Sequence, residues 1–173
     1  MKQLILLLCL LACMQSGYAH GPTRQKVVEK ITINAPAETV WSIVKNFHDM
    51  SWHPAIKHTD GEGGNTVGAT RTLHLSATHS IEEILEKYST SDRRYFYRIT
   101  HVEVDVLPVT NYSSWLIVHS GENNTSEVEW KGAFYRGYPN NDPPEELSDQ
   151  AAVRAITSVY QAGLENLKHL AEQ

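Results

Sequence analysis

Arg71 and Glu83 are the two residues whose types and spacing point most directly to chemistry. Leu73, Leu75, Ile81 and Leu85 alternate with polar neighbours. If they share the inner face of a hairpin closed by Ser76-Ala77-Thr78, Leu75 lies opposite His79, Leu73 opposite Ile81 and Arg71 opposite Glu83. Both charges then enter an apolar interior, where either one alone costs several kcal/mol and each must satisfy the other. Such a pair is either a structural device in a cavity wall or the anchor for a polar group on an otherwise apolar ligand. A loop longer by one residue reverses the parity and abolishes the pair.

Aromatic residues form the second pattern. Trp52, Tyr97, Tyr112, Trp130, Phe134 and Tyr160 fall on expected inward faces or near an entrance, where they would offer a ligand apolar bodies with polar tips. Core filling is the competing role and the preferred one for Trp41, Trp130 and Phe134, whereas Trp52 and His53 sit on a loop and suit a cavity mouth. The candidate ligand-binding set is Trp52, His53, Arg71, Glu83, Tyr97, Tyr112, Trp130 and Tyr160.

Nine histidines raise the question of a metal, but His48, His53 and His58 are five residues apart and have no zinc-type spacing. Neither a metal nor a cofactor is expected. Gly61-Glu62-Gly63-Gly64 lacks the strand-to-helix context of a phosphate cradle, and no nucleophile elbow or Ser/His/Asp arrangement is present. No catalytic residue is assigned. A cyclase or dehydratase would need one acid/base group in the cavity, for which Glu83, Tyr97 or the outward-facing His74 would serve.

The elements that must carry these residues follow from periodicity. Val27 to Asn34 is rich in β-branched residues and reads as a strand. Ala35-Pro36-Ala37-Glu38 opens a short helix ending near His48, and Met50 to Pro54 reads as a second short helical turn or loop. Residues 61–65 form a turn. Val67–Leu75, Ile81–Tyr88, Tyr95–Ile99, Tyr112–His119 and Thr125–Tyr135 follow as a meander of antiparallel strands. After a turn-rich stretch from Gly137 to Pro144, Val153, Ile156, Tyr160, Leu164, Leu167 and Leu170 recur at helical spacing to the C-terminus. The order implies an α+β domain in which one long helix covers a curved antiparallel sheet of about seven strands.

With 173 residues, 41% of them hydrophobic and 20% charged, the chain suits one packed domain. Its formal charge of -5 argues against nucleic acid as a partner. Residues 1–19 read as a secretory signal peptide, with Lys2, an apolar run from Leu4 to Met14, and small residues before a cleavage point after Ala19. A lipid anchor at Cys13 is the competing reading. Both place the domain, residues 20–173, in the periplasm, and no segment has the length of a membrane span. Cys9 and Cys13 both lie in the leader, so the mature domain has no thiol for disulfides, ligation or nucleophilic attack.

The element order, Trp52-His53-Pro54, Val67-Gly68-Ala69-Thr70-Arg71, Glu83-Ile84-Leu85, Arg94 to Ile99 and Tyr160-Gln161-Ala162-Gly163-Leu164 together resemble the SRPBCC or START-like helix-grip superfamily. The resemblance is to its polyketide cyclase/dehydrase branch and covers about residues 26 to 171. Within the branch, the leader, Pro143 to Leu147 and the last helix look like the MxaD-like periplasmic proteins found beside quinoprotein methanol dehydrogenases. The resemblance implies an apolar cavity between sheet and helix for a small hydrophobic ligand. It also implies a non-enzymatic accessory role in methanol oxidation, with the dehydrogenase or its cytochrome as partner. A cyclase- or dehydratase-like enzyme, or a carrier, is the alternative.

Overall fold

The computed structural model describes residues 21–173; the leader expected at residues 1–19 and both cysteines lie outside them. Seven strands form one antiparallel sheet: β1 (Gln25–Ile33), β2 (His58–Glu62), β3 (Thr70–His74), β4 (Ser80–Ser89), β5 (Arg94–Val102), β6 (Val109–Ser120) and β7 (Ser126–Arg136). Their spatial order is β1-β7-β6-β5-β4-β3-β2, so one crossover, from β1 past a helix to β2, carries the chain to the far edge. Helix α1 (Ala37–Val44) follows β1, and the long helix α2 (Asp149–Ala171) packs on β1 and β7.

One short helix, not two, follows β1. Residues 48–55 are hydrogen-bonded turns, with His53 N–H on Met50 O and Ile56 N–H on His53 O, and Pro54 prevents helical continuation. The turn expected at residues 61–65 begins later, because Gly61 and Glu62 complete β2 against β3. A Cβ on Gly61 would meet the His48 ring and Thr70 O at 2.6 Å, which explains a glycine inside this edge strand.

Sheet curvature comes from irregular pairing. The register of β4 on β5 shifts between Glu82 and Glu83 and again between Leu85 and Lys87, and that of β6 on β7 shifts between Thr110 and Ser113. Such bulges bend a strand and increase its twist. The β6 bulge holds Asn111 at φ 53°, a left-handed conformation that asparagine tolerates better than most residues. It also switches parity, so that Val109 and Tyr112, three residues apart, both point inward, followed by Ser114, Leu116 and Val118.

Helix α2 starts at a Ser148 cap whose Oγ accepts from Ala151 N–H. Arg136 at the end of β7 fastens the preceding loop, donating to Tyr138 O, Asn140 O and Asp149 Oδ2. The buried stripe of α2 is Ala151, Ala152, Ile156, Tyr160, Gly163, Leu164 and Leu167. Val153 is only half-buried and Leu170 is exposed: the stripe starts at Ala151 and Ala152, small residues that let the helix approach the sheet, and ends at Leu167.

Candidate functional site: a cavity beneath the C-terminal helix

The β3–β4 hairpin has the register that sets Leu73 opposite Ile81 and Arg71 opposite Glu83. Its turn is closed by Leu75 N–H on His79 O and by Ser76 Oγ, which accepts from the N–H groups of Thr78 and His79. Arg71 and Glu83 are both buried, and Arg71 Nε donates to Glu83 Oε2 at 2.6 Å. Arg71 Nη1 donates to Phe47 O at 2.6 Å, and the guanidinium lies 4.2 Å from the Phe47 ring centroid and 5.2 Å from that of Tyr97. Nη2 has no partner. Burial pushes the Glu83 carboxyl above the usual carboxylate range, and Arg71 opposes that shift. The carboxylate is nonetheless the anion of an ion pair, because a neutral Glu83 would leave the guanidinium alone in the interior.

Inside the sheet, next to this pair, lies a cavity of about 60 Å³. Its floor is Leu73, Leu75, Ile81, Glu83, Tyr97, Ile99, Tyr112 and Trp130; Ile156 and Val159 of α2 form the roof. Met50, His53, Ala55 and Ile56 close one side and Leu107 another. The volume is below half of the ~150 Å³ that accommodates benzene in an engineered protein cavity.

The hydroxyls at the cavity form one chain whose proton direction is determined. Trp130 Nε1–H can only donate, and it reaches Tyr97 OH at 3.0 Å; at the other end Ser114 Oγ donates to Lys131 O at 3.0 Å. Ser114 must therefore accept from Tyr160 (2.9 Å), Tyr160 from Tyr112 (2.6 Å) and Tyr112 from Tyr97 (3.2 Å). Each hydroxyl proton is thus committed. Burial raises the pKa of Tyr97, Tyr112 and Tyr160 far above the ordinary phenol value and pushes that of neighbouring Tyr95 up to about 12, so all four are neutral.

His53 is equally committed. Its Nε2–H donates to Val159 O at 3.0 Å and its Nδ1 accepts from Ala55 N–H at 3.2 Å, which fixes the neutral tautomer; burial lowers its pKa. Trp52 is buried beside it, 5.5 Å from Trp130 by ring centroids, with its backbone oxygen accepting from Asn166 Nδ2. Neither residue is an open cavity mouth, because α2 covers both. Gly163 makes that possible: a Cβ there would meet His53 Cδ2 at 2.5 Å and Trp130 Cζ3 at 2.8 Å. Gly132 does the same for Tyr160, whose hydroxyl occupies the place of a Cβ.

Of the eight nominated residues, His53, Glu83, Tyr97, Tyr112 and Trp130 form part of the wall. Trp52, Arg71 and Tyr160 stand behind it and hold wall residues in place. Leu107, Ile99, Ile156 and Val159 were not nominated; they are aliphatic, and nothing in a single sequence separates an aliphatic cavity wall from ordinary core. The three histidines weighed for a metal are apart in role, with His48 Nε2 on Glu62 O and His58 Nε2 on Asp60. Outward-facing His74 also meets Asp60, away from the cavity.

Solved structures with this architecture include an uncharacterised protein of Bacillus thuringiensis, 31% identical, with a TM-score of 0.72 over 86% of this chain and 100% of that one. The protein XoxI of Bacillus cereus is 31% identical, with a TM-score of 0.70 over 84% of this chain and 94% of that one. Norcoclaurine synthase of Thalictrum flavum, seen with dopamine and hydroxybenzaldehyde, shares the fold at 13% identity, with a TM-score of 0.66 over 86% and 87% of the two chains. No curated protein matches the sequence significantly. The family model described as polyketide cyclase / dehydrase and lipid transport matches residues 24–172, and the chain belongs to that family.

Proposed function

We propose that this protein is a non-enzymatic, exported accessory of methanol oxidation that holds a small apolar ligand beneath α2 and works beside a quinoprotein methanol dehydrogenase or its cytochrome. The observation that carries the binding half is the state of the wall. His53 is neutral with both nitrogens engaged, the hydroxyl protons of Tyr97 and Tyr112 are committed, and Glu83 is neutralised by Arg71. General acid/base catalysis needs a group that can exchange a proton with the substrate near working pH, and these are held out of that role. The partner and the periplasmic location rest on the leader and on the resemblance to MxaD-like proteins.

A cyclase- or dehydratase-like enzyme is the second reading, and one observation favours it: Glu83 is in the wall and its Oε1 accepts from no described residue. The test is purification from a periplasmic extract. Intact mass should give a chain beginning at His20, native mass spectrometry should report any retained ligand, and the dehydrogenase or its cytochrome should co-elute. A chain that begins at a lipidated Cys13 would replace soluble export by anchoring, and absence of both proteins from the eluate at low salt would remove the accessory role.

A further inference from the structure

We infer that the cavity selects a small neutral molecule carrying a hydrogen-bond donor, a short aliphatic alcohol rather than the corresponding ketone. This rests on the reading of the cavity as a ligand site and adds the chemistry it recognises. The polar side-chain atoms in the wall are hydrogen-bond acceptors or fully used. Tyr97 and Tyr112 pass their only protons along the chain to Tyr160 and keep an acceptor lone pair each. Glu83 Oε2 receives Arg71 Nε–H, and Oε1, which takes nothing from the described residues, is an acceptor without a donor. His53 has no free nitrogen. The nearby donors without a partner among the described residues are Arg71 Nη2 and Trp52 Nε1, and both residues are buried behind the wall rather than in it.

A hydroxyl donor placed here satisfies Glu83 Oε1. A carbonyl would bring acceptor against acceptor in a low-dielectric space and leave both unpaired, and sites built around one polarity reject the other strongly. Net charge narrows the class further: Arg71 already balances Glu83, so an ammonium donor would add an uncompensated buried cation. Size narrows it again, since about 60 Å³ is room for roughly four waters at the ~15 Å³ of accessible volume each needs, and so admits about four non-hydrogen atoms. A ligand so small cannot bind tighter than roughly tens of micromolar.

The experiment is a methyl-resolved NMR titration of the full mature protein with propan-2-ol, acetone and propane, following Leu73, Ile81, Ile99, Leu107 and Ile156. Saturable shifts at these methyls with propan-2-ol binding at least tenfold tighter than acetone are expected. In Arg71→Met/Glu83→Gln, which strands no charge and presents an amide able to donate or accept, the two ligands should bind within about threefold of each other. Acetone or propane binding wild type as well as the alcohol overturns the donor rule while leaving the cavity as a ligand site. No shift with any of the three overturns that underlying reading itself.

Discussion

Removing the partners of the buried ion pair one at a time and together is the sharpest perturbation of the site's framework. Arg71→Met leaves the Glu83 carboxylate without a counterion and Phe47 O without its donor; Glu83→Leu leaves a guanidinium with only the Phe47 carbonyl and two aromatic faces. Breaking a buried pair costs ~3–5 kcal/mol. The two changes are not equivalent, because a stranded carboxyl escapes by taking up a proton whereas arginine cannot lose one. Arg71→Met therefore belongs at the lower end, ~3 kcal/mol, and Glu83→Leu at the upper, ~5 kcal/mol. Arg71→Met/Glu83→Leu strands no charge and retains the loss at Phe47 O, ~1–3 kcal/mol.

Urea unfolding followed by tryptophan fluorescence measures all three, and the double variant should be more stable than either single one. A pH signature accompanies it. In Arg71→Met the folded-state pKa of Glu83 lies above its unfolded value, so the variant is best tolerated below about pH 4 and loses stability as pH rises through the folded value. Additive costs, with coupling near zero, would refute the reasoning.

Three further outcomes follow from the packing around the cavity. Leu164→Asp places an unpaired charge on the buried stripe of α2; a loss of ~4–5 kcal/mol, about 10–20 °C in melting temperature, is expected by differential scanning fluorimetry, and an unchanged transition would show the helix face to be misassigned. Gly163→Ala gains helix propensity but drives a Cβ into His53 and Trp130, for a net loss of ~1–2 kcal/mol in urea unfolding; a stabilised variant would contradict the contact. His53 has a folded pKa depressed by burial, so it contributes stability that is present above the unfolded value of about 6.5 and is lost as pH falls below it. Wild type should therefore destabilise between pH 7 and 5 more steeply than His53→Gln, and parallel curves would mean His53 accepts a proton in place.

The long helix was legible from one strong periodicity, whereas Ile81 to Tyr88, whose Glu, Leu and Lys favour helix, was legible as a strand only through the β-rich segments that follow it. Ile156, Tyr160, Leu164 and Leu167 repeat at three or four residues, and Leu73 meets Ile81 once the loop Ser76-Ala77-Thr78 is three residues long. The Arg71–Glu83 register followed from the inward alternation of Leu73 and Ile81 together with that loop length. β2 was hidden, since His58 to Glu62 is a polar edge strand with no inward apolar face to alternate. The bulge at Asn111 was equally hidden: β-propensity marks Tyr112 to His119, while the parity switch that turns Tyr112 inward depends on pairing with β7.

Trp52 and His53 were placed on a loop correctly but buried by a relation 106 residues distant in sequence, the His53–Val159 hydrogen bond, for which Gly163 leaves the space. A glycine in the middle of a good helix was the available signal for that close approach.

Xenon binding tests most directly that the space beneath α2 is an apolar ligand site. A xenon atom is compact enough for about 60 Å³ and binds apolar cavities without a polar handle. A crystal pressurised with xenon should show one atom bounded by Leu73, Ile81, Ile99 and Ile156, and Ile156→Phe should abolish it while the fold persists. Xenon absent from this position in wild type, or present equally in Ile156→Phe, would contradict the account.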